Sequence, residues 1–511
     1  MLPNNMERYI CIHGHFYQPP REDPWLDRIE PQESAHPFHD WNERIAAECY
    51  APNAASPLLN GDNETIATVN NYAKISFNFG PTLLSWIERH RADLYTAILE
   101  ADRLSRQAYG GHGSAIAQVY NHMIMPLASA RDKTSQVCWA IEDFRKRFQR
   151  DPEGMWLPET AVDLDTLETL AKAGIRFTIL TPHQALRVKE IGRGEWQDVS
   201  GGRIDSSAVY LCYLPSGRSI NLFFYNGLIA ADVAFGGLLH SGDLFARRLL
   251  EAFDGERGGP QIIHIATDGE TYGHHRRYGD MALAACLTSI GSSRAARLTN
   301  YGEYLERHPP THAVEIVENS SWSCAHGVER WRNDCGCHTG AHPGWSEGWR
   351  KPLREAMDWL RDRAARLYEE QASHYLSDPW KARDDYIAVV LERSANSAAR
   401  FLKRHAAAGL GGGEKNKILQ LLEMQRYAML IYTSCGWFFD DIAGLEAAQV
   451  MRYAARAMEL AREINGADLE AEYLRMLEQA PSNLHGSGAK VYELLVKPAG
   501  GSRRRAGSPL P

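Results

Sequence analysis

The chain has 511 residues, of which 44% are hydrophobic and 23% are charged, and its formal net charge is −8. This length allows two or three domains with a large core, and the acidic balance argues against a surface that binds nucleic acid or another polyanion. No apolar run is long enough to span a membrane, and the N-terminus lacks the basic and apolar regions of a signal peptide.

Nine cysteines are scattered along the chain, and several of them lie in apolar runs, such as Cys11 in YICI and Cys212 in VYLCYL. Their odd number and scatter do not suggest a disulfide framework, and small buried thiols are typical of a reducing compartment. We therefore expect a cytoplasmic protein, and we expect it to need no cofactor.

The first predicted strand covers residues 9–12 and runs directly into His13 and His15. Because alternate residues of an extended chain point to the same side, the two imidazoles should share one face. They could bind a metal, hold the hydroxyl groups of a ligand, or form hydrogen bonds within the protein. Gln18 follows closely, and the irregular residues 21–60, rich in Pro, Trp and His, are typical of a long functional loop.

A long helix is predicted over residues 81–106, because Pro81 is a favourable first residue and apolar residues follow at helical spacing. The glycine-rich segment around His112 ends it. The next segment, residues 115–128, carries Gln118 among apolar residues. It is either a core segment or another loop at the working face of the protein.

Residues 154–182 predict a strand, a loop, a helix and a second strand, which is the building block of a parallel sheet. The first strand contains Trp156 and ends at Pro158 and Glu159. Residues 195–225 then predict strands of which at least some are antiparallel.

The segment over residues 261–278 begins as a buried strand and changes character abruptly. The apolar run that includes Ile263 and Ile265 is followed by Asp268 and Glu270, with histidines and arginines after them. Carboxylates at the carboxyl ends of strands are where barrels and open α/β sheets keep their chemistry.

Strand ends converge on one face of a barrel, so Glu159 and Asp268 should meet although they are far apart in sequence. Two converging carboxylates are the minimum for cleaving a glycosidic bond, because one attacks or activates water and the other holds a proton. The like charge of Glu270 should raise one of the acidic pKa values. Carboxylates at strand ends also bind metals, which leaves this pair open to a second interpretation.

Three segments, HGHFYQPP, WLPET and TDGETYGHH, occur in an order that resembles the signature segments of glycoside hydrolase family 57. The resemblance covers about residues 7–330. It implies a retaining enzyme that acts on α-glucans, with an incomplete seven-stranded (β/α) barrel and a packed helical region. It assigns Glu159 as the nucleophile and Asp268 as the general acid/base. It also implies a substrate-binding set of His13, His15, Gln18, His112, Trp156 and Glu270.

From about residue 352 helical patterns dominate, which predicts a helical bundle beside the barrel. This part is similar to an uncharacterised domain found in one subgroup of the family. We predict a catalytic barrel over residues 1–345, a helical domain over 346–498 and a disordered tail over 499–511.

Two rival functions remain open. One is a metal-dependent, deacetylase-like carbohydrate hydrolase with His13, His15 and Asp268 on the metal, and the other is a non-catalytic glucan-binding protein. The sequence does not separate hydrolysis, glucan transfer and branching, and it leaves the oligomeric state undetermined.

A cysteine-rich segment close to residue 330 is a separate question. Cys324, Cys335, Cys337 and His338 could bind zinc, although the spacing is not that of a standard finger. Alternatively they belong to a tight loop, in which Trp322 and Trp331 would be platforms for sugar rings.

Overall fold

The computed structural model describes residues 7–497, and these fold into two compact units. Each unit is assembled from segments that are distant in sequence. In their described parts the first unit comprises residues 7–18, 31–118 and 144–322, and the second comprises residues 19–30, 119–143 and 323–497. The boundary predicted near residue 345 stays a prediction, and the tail predicted over 499–511 lies outside the described residues.

The first unit contains the strands that position the candidate site. In chain order they are β1 (Arg8–Phe16), β2 (Ser56–Leu59), β3 (Thr65–Val69), β4 (Ser76–Phe79), β5 (Ala117–Gln118), β6 (Met155–Trp156), β7 (Phe177–Leu180), β8 (Ala185–Glu190), β9 (Gln197–Asp198), β10 (Val209–Tyr213), β11 (Ser219–Phe224), β12 (Gln261–Asp268), β13 (Arg297–Leu298) and β14 (His312–Ile316).

Parallel pairing connects the strands at the centre of this unit. β1 pairs in parallel with β12, with β4 at its carboxyl half and with β13 near its start. β5 pairs in parallel with β6, and β7 pairs in parallel with β11. Single parallel bridges join Phe77 to Ala115 and Gly154 to Phe177. The β-loop-α-β unit predicted over residues 154–182 is confirmed.

A six-stranded sheet has the order β7-β11-β10-β14-β8-β9. Within it β10 and β11 are antiparallel, as the sequence predicted, and β8 is antiparallel to both β14 and β9. β2 and β3 form a separate antiparallel pair. The centre of the unit is therefore parallel, while its antiparallel pairs come from segments inserted between the parallel strands.

Helices connect these strands, and polar side chains cap several of them. Asp163, Asn226 and Asn300 each accept a hydrogen bond from a backbone amide in the first turn of the following helix. The helices are α1 (Trp41–Ile45), α2 (Ala51–Ala54), α3 (Pro81–His90), α4 (Ala92–Ala108), α5 (Ala130–Phe148, divided between both units), α6 (Leu164–Lys172), α7 (Gly227–Ala234), α8 (Gly242–Leu250), α9 (Gly279–Ser292) and α10 (Tyr301–Arg307). Short turns of 3-10 helix include Pro158–Thr160 and Gly269–Tyr272.

The helix predicted over residues 81–106 is in fact two helices, so that prediction was wrong. Arg91 separates α3 from α4 with φ −140° and ψ 64°, which is not helical. Its guanidinium group pairs with Asp93, in the first turn of α4, at 3.4 Å. The apolar spacing on both sides of Arg91 concealed this break.

The second unit is mainly helical. Its helices after α5 are α11 (Arg350–Ala372), α12 (Pro379–Asp385), α13 (Ile387–Leu391), α14 (Ala395–His405), α15 (Gly412–Leu430), α16 (Leu445–Asn465), α17 (Glu470–Leu477) and α18 (Gly488–Leu495), with a small antiparallel pair of β15 (Pro481–Ser482) and β16 (Gly486–Ser487). In the described part of the chain, no helix has the length and apolar character needed to cross a lipid bilayer.

Candidate active site

The register of the parallel strands brings the predicted polar residues to neighbouring positions. In the pairing of β1 with β12, His15 lies opposite Asp268. In the pairing of β1 with β4, His15 lies opposite Asn78, while His13 lies opposite Ser76. The three parallel strands therefore bring His15, Asn78 and Asp268 to the same level of the sheet.

Asn78 connects the two histidines through its amide group. The Nε2 atom of His13 donates to Asn78 Oδ1 at 3.0 Å, and His13 Nδ1 accepts from the hydroxyl of Ser76 at 3.0 Å. The amide nitrogen of Asn78 donates to His15 Nδ1 at 2.9 Å and to Gln118 Oε1 at 2.8 Å. This arrangement requires the neutral tautomer with the proton on Nε2 in both rings. Burial agrees, because it lowers the pKa of His13 and of His15 to about 3.

Trp156 forms the floor on which both histidines stack. Its ring centroid lies 5.0 Å from that of His13 and 4.9 Å from that of His15, with interplanar angles of 20° in each case. Trp322 meets Trp156 edge-on at 5.1 Å. The prediction that the two histidines share one face is confirmed, and packed rings fix the orientation of both imidazoles.

Glu159 lies in a strained turn directly after β6. Its backbone has φ 58° and ψ 18°, in the left-handed region that residues other than glycine seldom adopt. Trp322 holds this residue twice: its backbone amide donates to the Glu159 carbonyl at 2.9 Å, and its indole Nε1 donates to Glu159 Oε2 at 2.9 Å. One carboxylate oxygen is thus oriented by a hydrogen bond to a charged acceptor.

Asp268 ends β12 in a setting that favours its protonated form. Its side chain remains accessible to solvent, although the surrounding protein removes part of its hydration. The surrounding protein raises the pKa of Asp268 to about 7, and the negative charge of Glu159 adds to the increase. The two carboxylates are therefore close enough to interact, and Asp268 is the one that keeps a proton near neutral pH.

Glu270 is buried next to this pair. Its Oε1 atom accepts a hydrogen bond from the hydroxyl of Tyr50 at 2.5 Å and from the backbone amide of Tyr17 at 3.0 Å. Burial and then the charge of Asp268 raise the pKa of Glu270 to about 8, against the opposing effect of these hydrogen bonds. The expected increase in an acidic pKa is thus found at both neighbouring carboxyl groups.

The predicted substrate-binding residues differ in how accessible they are. His13 and Trp156 are both fully buried, so in this structure they cannot touch a sugar and instead support His15. Trp322 and Gln18 are half-buried, and the amide of Gln18 donates to the carbonyl of Tyr17 at 3.1 Å.

His112 belongs to a different cluster from the other predicted site residues. It precedes β5, at the amino ends of the parallel strands, and its Nδ1 lies 2.9 Å from Glu153 Oε1 while its Nε2 lies 2.5 Å from Glu306 Oε2. Burial opposes a charge on this ring, but the hydrogen bonds to Glu306 and Glu153 outweigh it and raise the pKa of His112. Both ring nitrogens of His112 are thus engaged with carboxylates, and the expected contact of His112 with substrate stays a prediction.

Four residues of the site were missed from the sequence: Ser76, Asn78, Tyr50 and Tyr225. The first two lie on β4, a strand that sequence reasoning overlooked because it is short and comes directly before a helix. The signal that could have revealed it was the alternation in SFNF, with one amide between two phenylalanines. Tyr225 lies close enough to Asp268 for that carboxylate to contribute to the raised pKa of its phenol, after the larger effect of burial.

The rival arrangement of a metal on His13, His15 and Asp268 finds no support in the geometry. Within residues 7–497, these three do not form a group whose ligand atoms converge. The histidine nitrogens that face Asn78 and Ser76 are engaged in hydrogen bonds between side chains.

The first unit has two interacting carboxylates at strand ends, beside packed aromatic rings. Cleavage of a glycosidic bond requires such a pair of acidic groups. The model of glycosyl hydrolase family 57 matches residues 20–317, more than half of the chain, and the chain belongs to that family. The resemblance found in the sequence is confirmed. Residues 345–508 match a domain of unknown function (DUF3536).

Individual relatives are distant. Alpha-amylase 1 of Dictyoglomus thermophilum is 24% identical over 106 residues, which are 21% of this chain and only 15% of that protein. An exo-type maltose-forming amylase from Pyrococcus sp. ST04 has a similar structure, with a TM-score of 0.69 and 17% identity over 92% of this chain and 82% of that one.

Two further solved structures extend over nearly the whole chain. A branching enzyme from Thermococcus kodakaraensis has a TM-score of 0.54 and 15% identity, and covers 99% of this chain and 95% of its own. An α-amylase from Thermotoga maritima has a TM-score of 0.55 and 12% identity, with coverages of 95% and 99%. At these identities the similarity is one of fold, and it confirms an α/β chain with a helical C-terminal region.

Proposed function

We propose that this protein is a retaining glycoside hydrolase or transglycosylase that acts on α-glucans. The observation that carries the proposal is the unequal setting of Glu159 and Asp268. The first is oriented by the indole of Trp322, and the second has a pKa raised to about 7. One acid that holds a proton and one that is ready to attack are what double displacement requires.

In the proposed reaction Asp268 donates its proton to the glycosidic oxygen while a carboxylate oxygen of Glu159 attacks the anomeric carbon. The bond to the leaving sugar breaks and a glycosyl-enzyme ester forms on Glu159. The ionised Asp268 then takes a proton from water or from a sugar hydroxyl, which attacks the same carbon and releases Glu159. We predict that the two carboxyl groups lie about 5–5.5 Å apart, as retention requires.

The other residues have supporting parts in this proposal. His15 is buried and lies opposite Asp268 in the strand register, while His13 and Trp156 are positioning residues beneath it. Gln18 and Trp322 are the accessible candidates for contact with sugar rings. Glu270 does not touch the reacting atoms in this proposal, and its buried carboxyl group is held by Tyr50 and by the backbone amide of Tyr17.

Two coarser features accompany the proposal. We infer that the parallel strands of the first unit form the incomplete seven-stranded barrel that the family resemblance implies, with a helical bundle in the second unit. We also infer a cytoplasmic location, which is supported by nine cysteines that are all free of disulfide bonds in the described residues.

Azide rescue would test the two catalytic roles separately. Glu159→Ala should lose activity on an aryl α-maltoside, and azide should restore it by attacking the anomeric carbon directly, with inversion. Asp268→Ala should still form the glycosyl-enzyme from such an activated substrate, and azide should then give the product with retained configuration. Glu195→Ala, which changes an exposed acid, is the matched control and should behave as wild type.

The stereochemistry of the products decides the outcome. Retained configuration from the wild-type enzyme and opposite azide anomers from the two variants would support the assignment. The same anomer from both variants, or an inverted product from the wild type, would contradict it. Chain-length and branch-point analysis with maltooligosaccharides and amylose would then distinguish hydrolysis, transfer and branching.

A further inference from the structure

Three cysteines and one histidine converge in the second unit, in a segment that the proposed reaction does not use. They are Cys324, His326, Cys335 and Cys337, and their ligand atoms all lie within 4.8 Å of one another. Two turns that are separated along the chain supply them. No other group of this kind was found among the described residues, which sets this convergence apart from chance surface clustering.

The distances between the ligand atoms match a tetrahedral metal centre. The Sγ atom of Cys324 lies 3.9 Å from those of Cys335 and Cys337, and Cys337 Sγ lies 3.6 Å from His326 Nδ1. Zinc with Zn–S bonds of about 2.3 Å and a Zn–N bond of about 2.05 Å requires S···S separations of about 3.8 Å and S···N separations of about 3.6 Å. A disulfide would bring two sulfur atoms to about 2.04 Å, so these thiols are not bonded to one another.

Backbone turns aim the ligands at a common point. The amide of Gly327 donates to the carbonyl of Cys324 at 3.1 Å and closes the turn that carries His326. Gly336, with φ +74°, lets the chain reverse between Cys335 and Cys337. Both turns are short and contain little regular secondary structure. A bound ion would hold them in place of the backbone hydrogen bonds of a helix or sheet.

Two buried guanidinium groups line the protein side of the cluster. Arg330 donates to the carbonyl of Ser323 at 3.0 Å, and Arg350 donates to the carbonyl of Cys337 at 2.7 Å. Each has a buried Nε atom with no hydrogen-bond partner among the described residues, and the carboxylates of Glu347 and Asp440 are near enough to Arg350 to interact with its charge. A zinc ion with three thiolates and one imidazole carries a net charge of −1, which would offset positive charge that burial otherwise makes costly.

We propose that Cys324, His326, Cys335 and Cys337 bind one zinc ion in a closed, four-coordinate structural site. The histidine differs from the His338 that the sequence suggested, because the ring of His326 belongs to the converging group and that of His338 does not, although both histidines are exposed. On binding, the three thiols release three protons to solvent, the imidazole binds through Nδ1, and no electron is transferred. The ion links the turn at 324–327 to the turn at 335–337.

Metal content of the full-length protein is the direct test. Protein purified under reducing conditions from zinc-supplemented medium should contain about one zinc per chain, and a Cys335→Ser/Cys337→Ser variant should contain less than about a tenth of that. His326→Ala should weaken zinc binding by more than about 100-fold, since even residues that only support ligands change affinity about 10- to 100-fold. Cobalt reconstitution should give the thiolate charge-transfer band and the intense visible bands of a tetrahedral site.

Two matched controls make the ligand assignment specific. His338→Ala should keep zinc at wild-type stoichiometry, and so should Cys138→Ser, which changes a half-buried cysteine outside the cluster. Limited proteolysis with and without a chelator should show new cleavage confined to the segment between α10 and α11. This readout does not depend on turnover, so its failure is distinct from failure of the proposed activity.

Several results would overturn the proposal. The proposal would be wrong if the reduced wild-type protein contained no stoichiometric zinc, or if the double cysteine variant retained the metal. It would also be wrong if His338→Ala lost the metal and His326→Ala kept it. Intact-mass analysis that finds a disulfide among the three cysteines in protein purified with reductant would also refute it and would point to a redox pair.

Discussion

The proton held by Asp268 predicts how activity depends on pH. Its pKa is about 7, against an ordinary value of 3.8. As the general acid, Asp268 must be protonated, so kcat/KM should fall as the pH rises through about 7. At pH 8 about a tenth of the acid remains protonated, and kcat/KM should be about a tenth of its plateau. The pH profile of kcat/KM with maltooligosaccharides measures this.

A second measurement tests how much the charge of Glu159 contributes to the raised pKa of Asp268. Glu159→Gln removes the smaller of the two causes of the raised pKa, while the burial remains. The pKa of Asp268 should therefore fall in the variant but stay nearer to 7 than to 3.8. Carboxyl-¹³C aspartate NMR can follow it in this inactive protein, with Asp268→Asn used to identify the signal. Titration of Asp268 near 3.8 in the wild type, or an alkaline limb above about pH 9, would refute this reasoning.

Three further predictions concern neighbours of the pair. Trp322→Phe keeps the ring but removes the hydrogen bond to Glu159, and kcat/KM should fall about 10- to 100-fold, because a hydrogen bond to a charged group contributes about 1.5–3 kcal/mol. Asn78→Ala leaves His15 and other buried partners unsatisfied, so urea denaturation should show a loss of about 2–3 kcal/mol in unfolding free energy. His112→Gln should leave kcat/KM within about twofold, since His112 contacts Glu153 and Glu306 and belongs to a different cluster from Glu159 and Asp268. Because the pKa of His112 is raised in the folded protein, its stabilising effect is complete below its ordinary pKa of 6.5. This stabilisation is lost as the pH rises through the pKa of the folded protein, so the Tm difference between wild type and His112→Gln should shrink with rising pH.

Each of these predictions has its own control and its own refuting outcome. Trp41→Phe changes a half-buried tryptophan at the start of α1, and Trp322→Phe with the same kcat/KM as this control would remove Trp322 from the site. Asn396→Ala changes an exposed asparagine of α14, and an equal effect at Asn78 would mean that its network stabilises nothing. A Tm difference for His112→Gln that is constant from pH 5 to pH 9 would contradict a charged imidazole.

Local patterns were enough to predict the carboxylates of the site. Glu159 and Asp268 each follow a short apolar run, and a strand that ends in an acid is visible in one dimension. The alternation of His13 and His15 was equally local, because strand geometry alone places them on one face. The residues of the site could therefore be predicted from the sequence where each residue's neighbours along the chain determine its role.

What could not be predicted depends on contacts between distant segments. The bonds from Asn78 to both histidines require the register of β4 on β1. The burial of Trp156 depends on rings from other strands, and sequence matching alone could not show that it lies beneath the histidines and not against a ligand. At the cysteine cluster, His326 and His338 are both close to a cysteine in sequence, and only the fold of the turns separates them.

The left-handed backbone at Glu159 has a consequence for engineering. An L-residue at φ 58° is strained, whereas glycine adopts this conformation without penalty. Glu159→Gly should therefore remove the proposed nucleophile and relieve about 1 kcal/mol of strain together. Such a protein could not hydrolyse what it makes, yet its proposed general acid/base, Asp268, would be intact. Supplied with a glycosyl fluoride of the opposite anomeric configuration, it should build glucan chains and never shorten them.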